Sequence, residues 1–182
     1  MQFIELVKIR QSVRAYKDLP VEIEKLQTVL EAMRLAPSAS NSQPWKVIVV
    51  DEPELKNKVA YATFSSSLPI NKFTVTAPAI LVLTVEKIRL ITQIAGWLKK
   101  RQFSLIDIGI AAEHICLQAA ELGLGTCMVG WFNEKEISKL LNIPKQTRIG
   151  LIITIGYPEN GYEIRLKRRK DYEEVVCFNN YR

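Results

Sequence analysis

The chain of 182 residues is 48% hydrophobic and carries 25 Lys and Arg against 19 Asp and Glu, a formal net charge of +6. That length and apolar content suit one domain with its own core and exclude an intrinsically disordered chain. The basic balance favours anionic partners, but much of the excess lies in two runs, Lys99-Lys100-Arg101 and Lys167-Arg168-Arg169-Lys170, and such local clusters fit a phosphate-bearing small molecule as well as a polyanion.

The three cysteines, Cys116, Cys127 and Cys177, are widely spaced and include no CxxC pair, which argues against a disulfide framework or a zinc site. The first residues, with Glu5, Lys8 and Arg10 among them, lack the layout of a secretory signal. No uninterrupted apolar stretch reaches the roughly 18 residues that a membrane span needs. A cytoplasmic protein with no membrane partner is expected.

In chain order, Phe3, Leu6, Val7 and Ile9 fall on one stripe of a short helix over 2–9, and Leu19-Pro20 breaks the chain. Residues 22–35 place Ile23, Leu26, Val29, Leu30 and Met33 at helical spacing. Small and amide side chains from Pro37 to Pro44 form a loop that runs straight into the β-branched strand 45–50. Pro53 suits the first turn of a helix over 54–62, residues 63–72 are loop-like, and 77–85 read as a buried strand. Between 86 and 102 the pattern is ambiguous. Ser104 is the expected N-cap of a long helix that ends at Gly123 and is apolar nearly all round, so that it should be buried on most sides or pressed against a second subunit. Residues 125–132 form a short strand and turn, Asn133 caps a helix over 134–141, and 148–157 give the last long strand. Strands separated by helices, with no repeat and no linker, indicate one layered domain spanning residues 1–182.

No hydrolytic or metal constellation is present. His114 is the sole histidine and lies in the most apolar helix, where a structural role is expected; Asp107 and Glu113 do not form an acid/base pair. Neither GxGxxG after a strand nor a Walker A sequence occurs. What does stand out is Arg10-Gln-Ser-Val-Arg-Ala-Tyr16. Two guanidinium groups four residues apart share one side of a helix end, with donors suited to phosphate and to the edge of a planar heterocycle. A chain with clustered anion donors and no nucleophile of its own leaves the difficult chemistry to a cofactor.

Five segments then occur in one order: Arg10-Gln-Ser-Val-Arg14, Pro37-Ser-Ala-Ser-Asn-Ser-Gln-Pro-Trp45, Gly123-Leu-Gly-Thr-Cys-Met-Val-Gly-Trp-Phe132, Gly156-Tyr-Pro158 and Lys167-Arg-Arg-Lys170. Together they resemble the FMN-dependent nitroreductase family over nearly the whole chain, most weakly between 57 and 102. The resemblance implies an α+β fold: a three-layer α/β/α domain with a mainly antiparallel central sheet and a C-terminal tail that crosses to the partner subunit of a homodimer. It implies that Arg10 pairs with the flavin phosphate, that Gln11 and Ser12 donate near the phosphate or ribityl chain, and that Arg14 reaches the N1/O2 edge of the ring. The same resemblance assigns Pro37, Ser38, Ala39 and Asn41 to cofactor contacts made from the other subunit. Met128, Val129 and Gly130 fall to the ring face and its N5 side, and Lys167 and Arg169 to the phosphate clamp.

The implied activity passes hydride from NADH or NADPH through FMN to an electron-poor acceptor such as a nitroaromatic or quinone, in a ping-pong sequence with no catalytic side chain. A flavin-binding protein with little turnover, or a flavin-fragmenting or dehalogenating relative, are the alternatives. Nucleic-acid binding is not expected, since basic and aromatic residues are not interleaved. The chain departs from the family in its shortness and in the 86–102 segment, which replaces a longer excursion over the active site. Asn71 is the one candidate for a further ring contact between 57 and 73.

Overall fold

The residue run Ala-Ile-Leu-Val-Leu-Thr-Val leaves no polar face, and the strand it forms, β2 (Ala79–Val85), is buried on both sides. In the structure of the protein, a computed structural model that describes residues 2–86 and 102–181, β2 lies inside a four-stranded sheet. The other strands are β1 (Trp45–Val50), β3 (Gly125–Val129) and β4 (Arg148–Gly156), and the order is β1-β2-β4-β3 with every pairing antiparallel. Strand alternation divides the apolar residues between two cores. Ala79, Leu81 and Leu83 of β2, with Ile153 and Ile155 of β4, pack on α2 (Ile23–Arg34) and on the long helix α4 (Phe103–Glu121). Ile80, Val82 and Ile152 turn the other way, onto α3 (Pro53–Tyr61) and α5 (Glu134–Leu140). The result is three layers, α/β/α, and each fully buried aliphatic side chain stabilises it by roughly 1.5–3 kcal/mol.

A bulge keeps this division intact. The β2–β4 register passes from Leu83↔Leu151 to Thr84↔Ile149, leaving Gly150 as the extra residue on β4. That slip returns Ile149 to the face already occupied by Ile152, inside the second core.

The elements follow the expected chain order, with local corrections. The long helix begins at Phe103 with Gln102 at the N-cap position and no side-chain cap, so Ser104 is not the cap. Strand β2 begins at Ala79 rather than 77, after a 3-10 turn over Lys72–Thr76. The first helix, α1 (Phe3–Ile9), buries none of its residues, and Phe3 is 67% exposed. The long helix buries one face, Asp107, Ile108, Ala111, Ala112, Ile115, Cys116 and Ala119, and exposes Leu105 and Ile106. By length and hydropathy it would pass for a membrane span, but those buried residues make it the core helix of this domain. It stops at Gly123, whose φ of 74° lets Leu124 N–H bond Ala119 O at 2.8 Å and Gly123 N–H bond Ala120 O at 3.1 Å. Asn133 caps α5 as expected, its side chain accepting from Glu136 N–H. Residues 87–101, which include the basic run Lys99-Lys100-Arg101 and most of the 86–102 segment, lie outside the described residues.

After α1 the chain runs along the sheet's end as an irregular extra strand. Ser12 pairs parallel with Thr126 and Tyr16 pairs antiparallel with Pro158, with Val13 N–H on Thr126 O and Lys17 N–H on Tyr157 O, each at 2.9 Å. Val13, Tyr16 and Ala77 form a small third core beneath it. Tyr16 is 6% exposed; its hydroxyl donates to Val13 O at 2.8 Å and lies 2.7 Å from Thr154 Oγ1, and burial pushes its pKa up. Removing that hydroxyl leaves a buried carbonyl without its donor, so Tyr16→Phe should lower stability by about 1–3 kcal/mol. The change is read as a lower urea midpoint at unchanged m-value, and an unchanged midpoint would mean that the hydroxyl does not fasten this segment.

Candidate functional site

Helix α1 ends at Arg10, whose N–H still bonds Leu6 O, and the backbone then becomes extended and carries Gln11, Ser12 and Arg14 along the sheet edge. The C-terminal stretch 163–169 runs beside it. Gln11 links the two by both ends of its amide: Nε2 donates to Glu163 O at 3.0 Å, and Oε1 accepts from Arg165 N–H at 3.1 Å. Lys167 closes the far end, its amine donating to Arg10 O. Between the two stretches lies a cleft of about 720 Å³ whose lining includes Arg10, Gln11, Ser12, Arg14, Lys167 and Arg169. Six residues that the sequence motifs single out thus meet at one place.

The electrostatics of the cleft are those of an anion site. Partial burial lowers the pKa of Lys167, and the neighbouring Arg10 and Arg169 guanidinium groups lower it further, with Glu113 acting against them. Arg10 Nε is buried and lies 3.3 Å from Glu113 Oε1 without hydrogen-bond alignment. Among the described residues Glu113 offsets these cations only in part, and a phosphate monoester, with two negative charges and three acceptor oxygens, matches them in charge and donor geometry. Glu163 is the one carboxylate in the lining.

Arg14 is held differently. Its N–H donates to Tyr162 Oη at 3.0 Å, and its guanidinium stands 5.8 Å from the centre of the Phe73 ring. The Tyr162 hydroxyl also accepts from Arg165 Nη2 at 2.9 Å, so one phenol organises both cleft walls. Sequence reading passed over Tyr162 and Phe73; the Asn160-Gly161 turn, with Gly161 at φ 75°, was the available signal that the tail doubles back there. Beneath Ser12 and Arg14 lies Cys127, 3% exposed, whose thiol pKa is raised by burial, with Arg14 and Ser12 acting in the opposite sense. A buried thiol of this kind is packing rather than nucleophile.

Met128 and Val129 follow Thr126 on β3, with Gly130 just beyond its end, and the parallel Ser12–Thr126 pairing sends them in the same direction as Arg14. Met128 is exposed, Val129 belongs to the second core, and a side chain at Gly130 would meet open space. Pro37, Ser38, Ala39 and Asn41 do not line the cleft. They sit in a tight loop against α4, with Ser38 Oγ accepting from Gln43 N–H at 2.9 Å and Ala39 N–H donating to Asp107 Oδ1 at 3.1 Å. Asn71 is occupied structurally, its Nδ2 donating to Thr63 O and Trp131 O. His114 bonds Ile110 O through Nδ1, one helical turn back, as a helix-face histidine does. Among the described residues no cluster of His, Cys, Asp and Glu could hold a metal ion.

The domain is thus an α+β three-layer fold with a cationic cleft between its N-terminal motif and its C-terminal stretch. The Nitroreductase family profile matches residues 7–72 and 62–157, and the chain belongs to the nitroreductase family. The match stops before Lys167 and Arg169. The chain is similar to the FMN-dependent nitroreductase of Clostridium difficile R20291, at 31% identity and TM-score 0.77 over 98% of this chain and 100% of that one. It is 31% identical to the FMN reductase [NAD(P)H] of Bacillus subtilis over 86% of this chain and 66% of that protein. The iodotyrosine deiodinase of Thermotoga neapolitana is 27% identical over 86% of this chain and 88% of that protein. Homologues of this kind make the chain a member of a family of oxidoreductases.

Proposed function

We propose that the chain is a single-domain, homodimeric, cytoplasmic FMN enzyme that takes hydride from NADH or NADPH and passes it to an electron-poor acceptor such as a nitroaromatic or quinone. The observation that carries this reading is the convergence of Arg10, Lys167 and Arg169 on one cleft, where partial burial and their mutual repulsion lower the Lys167 pKa although Glu113 stands beside Arg10. Bound FMN would supply hydride acceptance and donation at the ring. Arg10, Lys167 and Arg169 would bind its phosphate, and Gln11 and Ser12 would donate along the ribityl chain. Arg14, fixed by Tyr162 and Phe73, would place a permanent positive charge at the N1/O2 edge, where negative charge develops on reduction.

Met128, Val129 and Gly130 would line the ring face and its N5 side, where small residues let backbone approach closely. Pro37, Ser38, Ala39 and Asn41 would contact the cofactor of a second copy. Exposure of Ile164, Leu166, Tyr172, Val175, Phe178 and Tyr181 along the C-terminal stretch supports a tail that crosses to a partner, since monomers seldom leave so many large apolar side chains in water. No side chain in the cleft acts as acid or base; Arg14 orients and stabilises, and protons come from water.

Reduction of the purified protein by NADH and by NADPH, followed in the flavin absorbance band and then challenged with acceptors, tests the reading. A yellow protein holding one FMN per chain, bleached by a nicotinamide and recoloured by a nitroaromatic or quinone, is expected. Colourless protein that takes up no FMN would overturn it. Bleaching without reoxidation by those acceptors, but with turnover of an iodinated phenol, would move the activity to dehalogenation. Absent bleaching would leave a flavin-binding protein.

A further inference from the structure

Asp107 lies in the second turn of α4 and is 3% exposed. Its Oδ1 accepts the Ala39 N–H at 3.1 Å, while Oδ2 is buried with no hydrogen-bond partner. A buried carboxylate with one oxygen unsatisfied is poorly explained by stability, because an apolar side chain of similar volume would pack there without loss of hydration. The loop that it holds is itself unusual. Ser40, Asn41 and Gln43 stand at φ 52°, 50° and 45°, the left-handed region that residues other than glycine seldom adopt. Hydrogen bonds inside the loop, Gln43 N–H to Ser38 Oγ and Gln43 Nε2 to Asn41 Oδ1 at 3.1 Å, maintain its shape but do not tie it to the domain. Asp107 does that, at the backbone of Ala39. Yet the loop lines no part of the chain's own cationic cleft, and Pro37 and Asn41 are exposed.

We infer that Asp107 is a positioning residue, which sets the Pro37–Asn41 loop in the shape it presents to FMN held in the cleft of a second copy of this chain. The inference rests on the flavin reading above. It assigns the strain of three left-handed residues and the unsatisfied carboxylate to one purpose, a loop shaped for a ligand that its own chain does not hold. The carboxylate touches no part of the reaction and acts only through the Ala39 amide.

Two variants separate position from mere packing. Asp107→Asn retains an acceptor for the Ala39 N–H, whereas Asp107→Leu fills the same space without one. In the FMN-free protein, amide exchange at Ala39 should quicken in Asp107→Leu and remain near wild type in Asp107→Asn. In FMN titrations, Asp107→Leu should bind roughly ten- to hundred-fold more weakly, the loss of one charge-assisted bond's worth of order, and Asp107→Asn should recover most of that. Mixed dimers of Asp107→Leu with Arg10→Ala should regain tight sites, because one of the two sites in each mixed dimer then combines an intact cleft with an intact loop. Unchanged Ala39 exchange in Asp107→Leu would overturn the positioning role, and failure of the mixture to regain tight sites would overturn its action across the dimer. Wild-type protein that binds no FMN would sink the flavin reading instead, while the exchange experiment would still decide whether Asp107 holds the loop.

Discussion

Arg10→Ala is expected to weaken FMN binding by roughly ten- to hundred-fold, the range that loss of one hydrogen-bonded charge contact produces. The expectation has two parts. A guanidinium is removed from the phosphate position, and Glu113, whose Oε1 lies 3.3 Å from Arg10 Nε, is left facing an incoming anion without its counter-charge. Lys167→Ala should also weaken binding, but with a different pH signature. In the proposed site the amine would bind phosphate as a cation, and its pKa lies below the ordinary 10.5 because of partial burial and the Arg10 and Arg169 charges. Affinity of the wild-type protein should therefore fall as pH is raised through that lowered value. Arg10→Ala should keep this fall, since the amine remains, and Lys167→Ala should lose it. Isothermal titration across alkaline pH measures both, and an unchanged Kd in Arg10→Ala would remove Arg10 from the phosphate site.

The other large effect concerns a residue that touches no ligand. A Cβ at Gly125 would lie 2.6 Å from Val13 Cγ2 and 2.9 Å from Val13 Cγ1, far inside van der Waals contact. Gly125→Ala cannot be absorbed by a flexible side chain, because Val13 is buried and its backbone is bonded to Thr126. The strand that carries Ser12 and Arg14 must shift away from β3. Overpacking of this kind destabilises by about 1–3 kcal/mol. The shift should also enlarge the cleft and reduce FMN affinity, so stability and binding should fall together. Val13→Ala in the same chain should restore much of both, as a double-mutant cycle with a large coupling energy. Additive effects would mean that the two side chains do not meet.

Much of this architecture is legible in the residues. The unbroken apolar run of β2 demands burial on two faces, which the helices on either side of the sheet supply. The Arg10–Arg14 motif and the Lys167–Arg169 run announce an anion site, and the structure places them in one cleft. Other features depend on contacts that no local pattern encodes. Helix α4 starts at Phe103 with Gln102 in the N-cap position, so Ser104, a good cap by type, lies inside the helix instead. Asp107 reads as an isolated acid until the loop at Ala39 folds onto it, and Tyr162 gains its role from Arg14 and Arg165. The apolar stripe of α1 predicts a buried face that the described residues only partly cover, and Phe3 stays exposed. Assembly with a second copy is the proposed complement.

The hydrogen bonds that close the cleft join residues 152, 154 and 157 positions apart. Closing so long a loop costs entropy that local contacts do not offset, so this junction belongs among the late events of folding. During synthesis Arg10 and Gln11 are made well before Glu163, Arg165 and Lys167 exist to meet them. A nascent chain that has yet to reach them has not formed the cleft, so the proposed phosphate clamp would form only after both stretches have been made. A product that stops short of Glu163 lacks one wall of this cleft, however well its sheet and helices have formed.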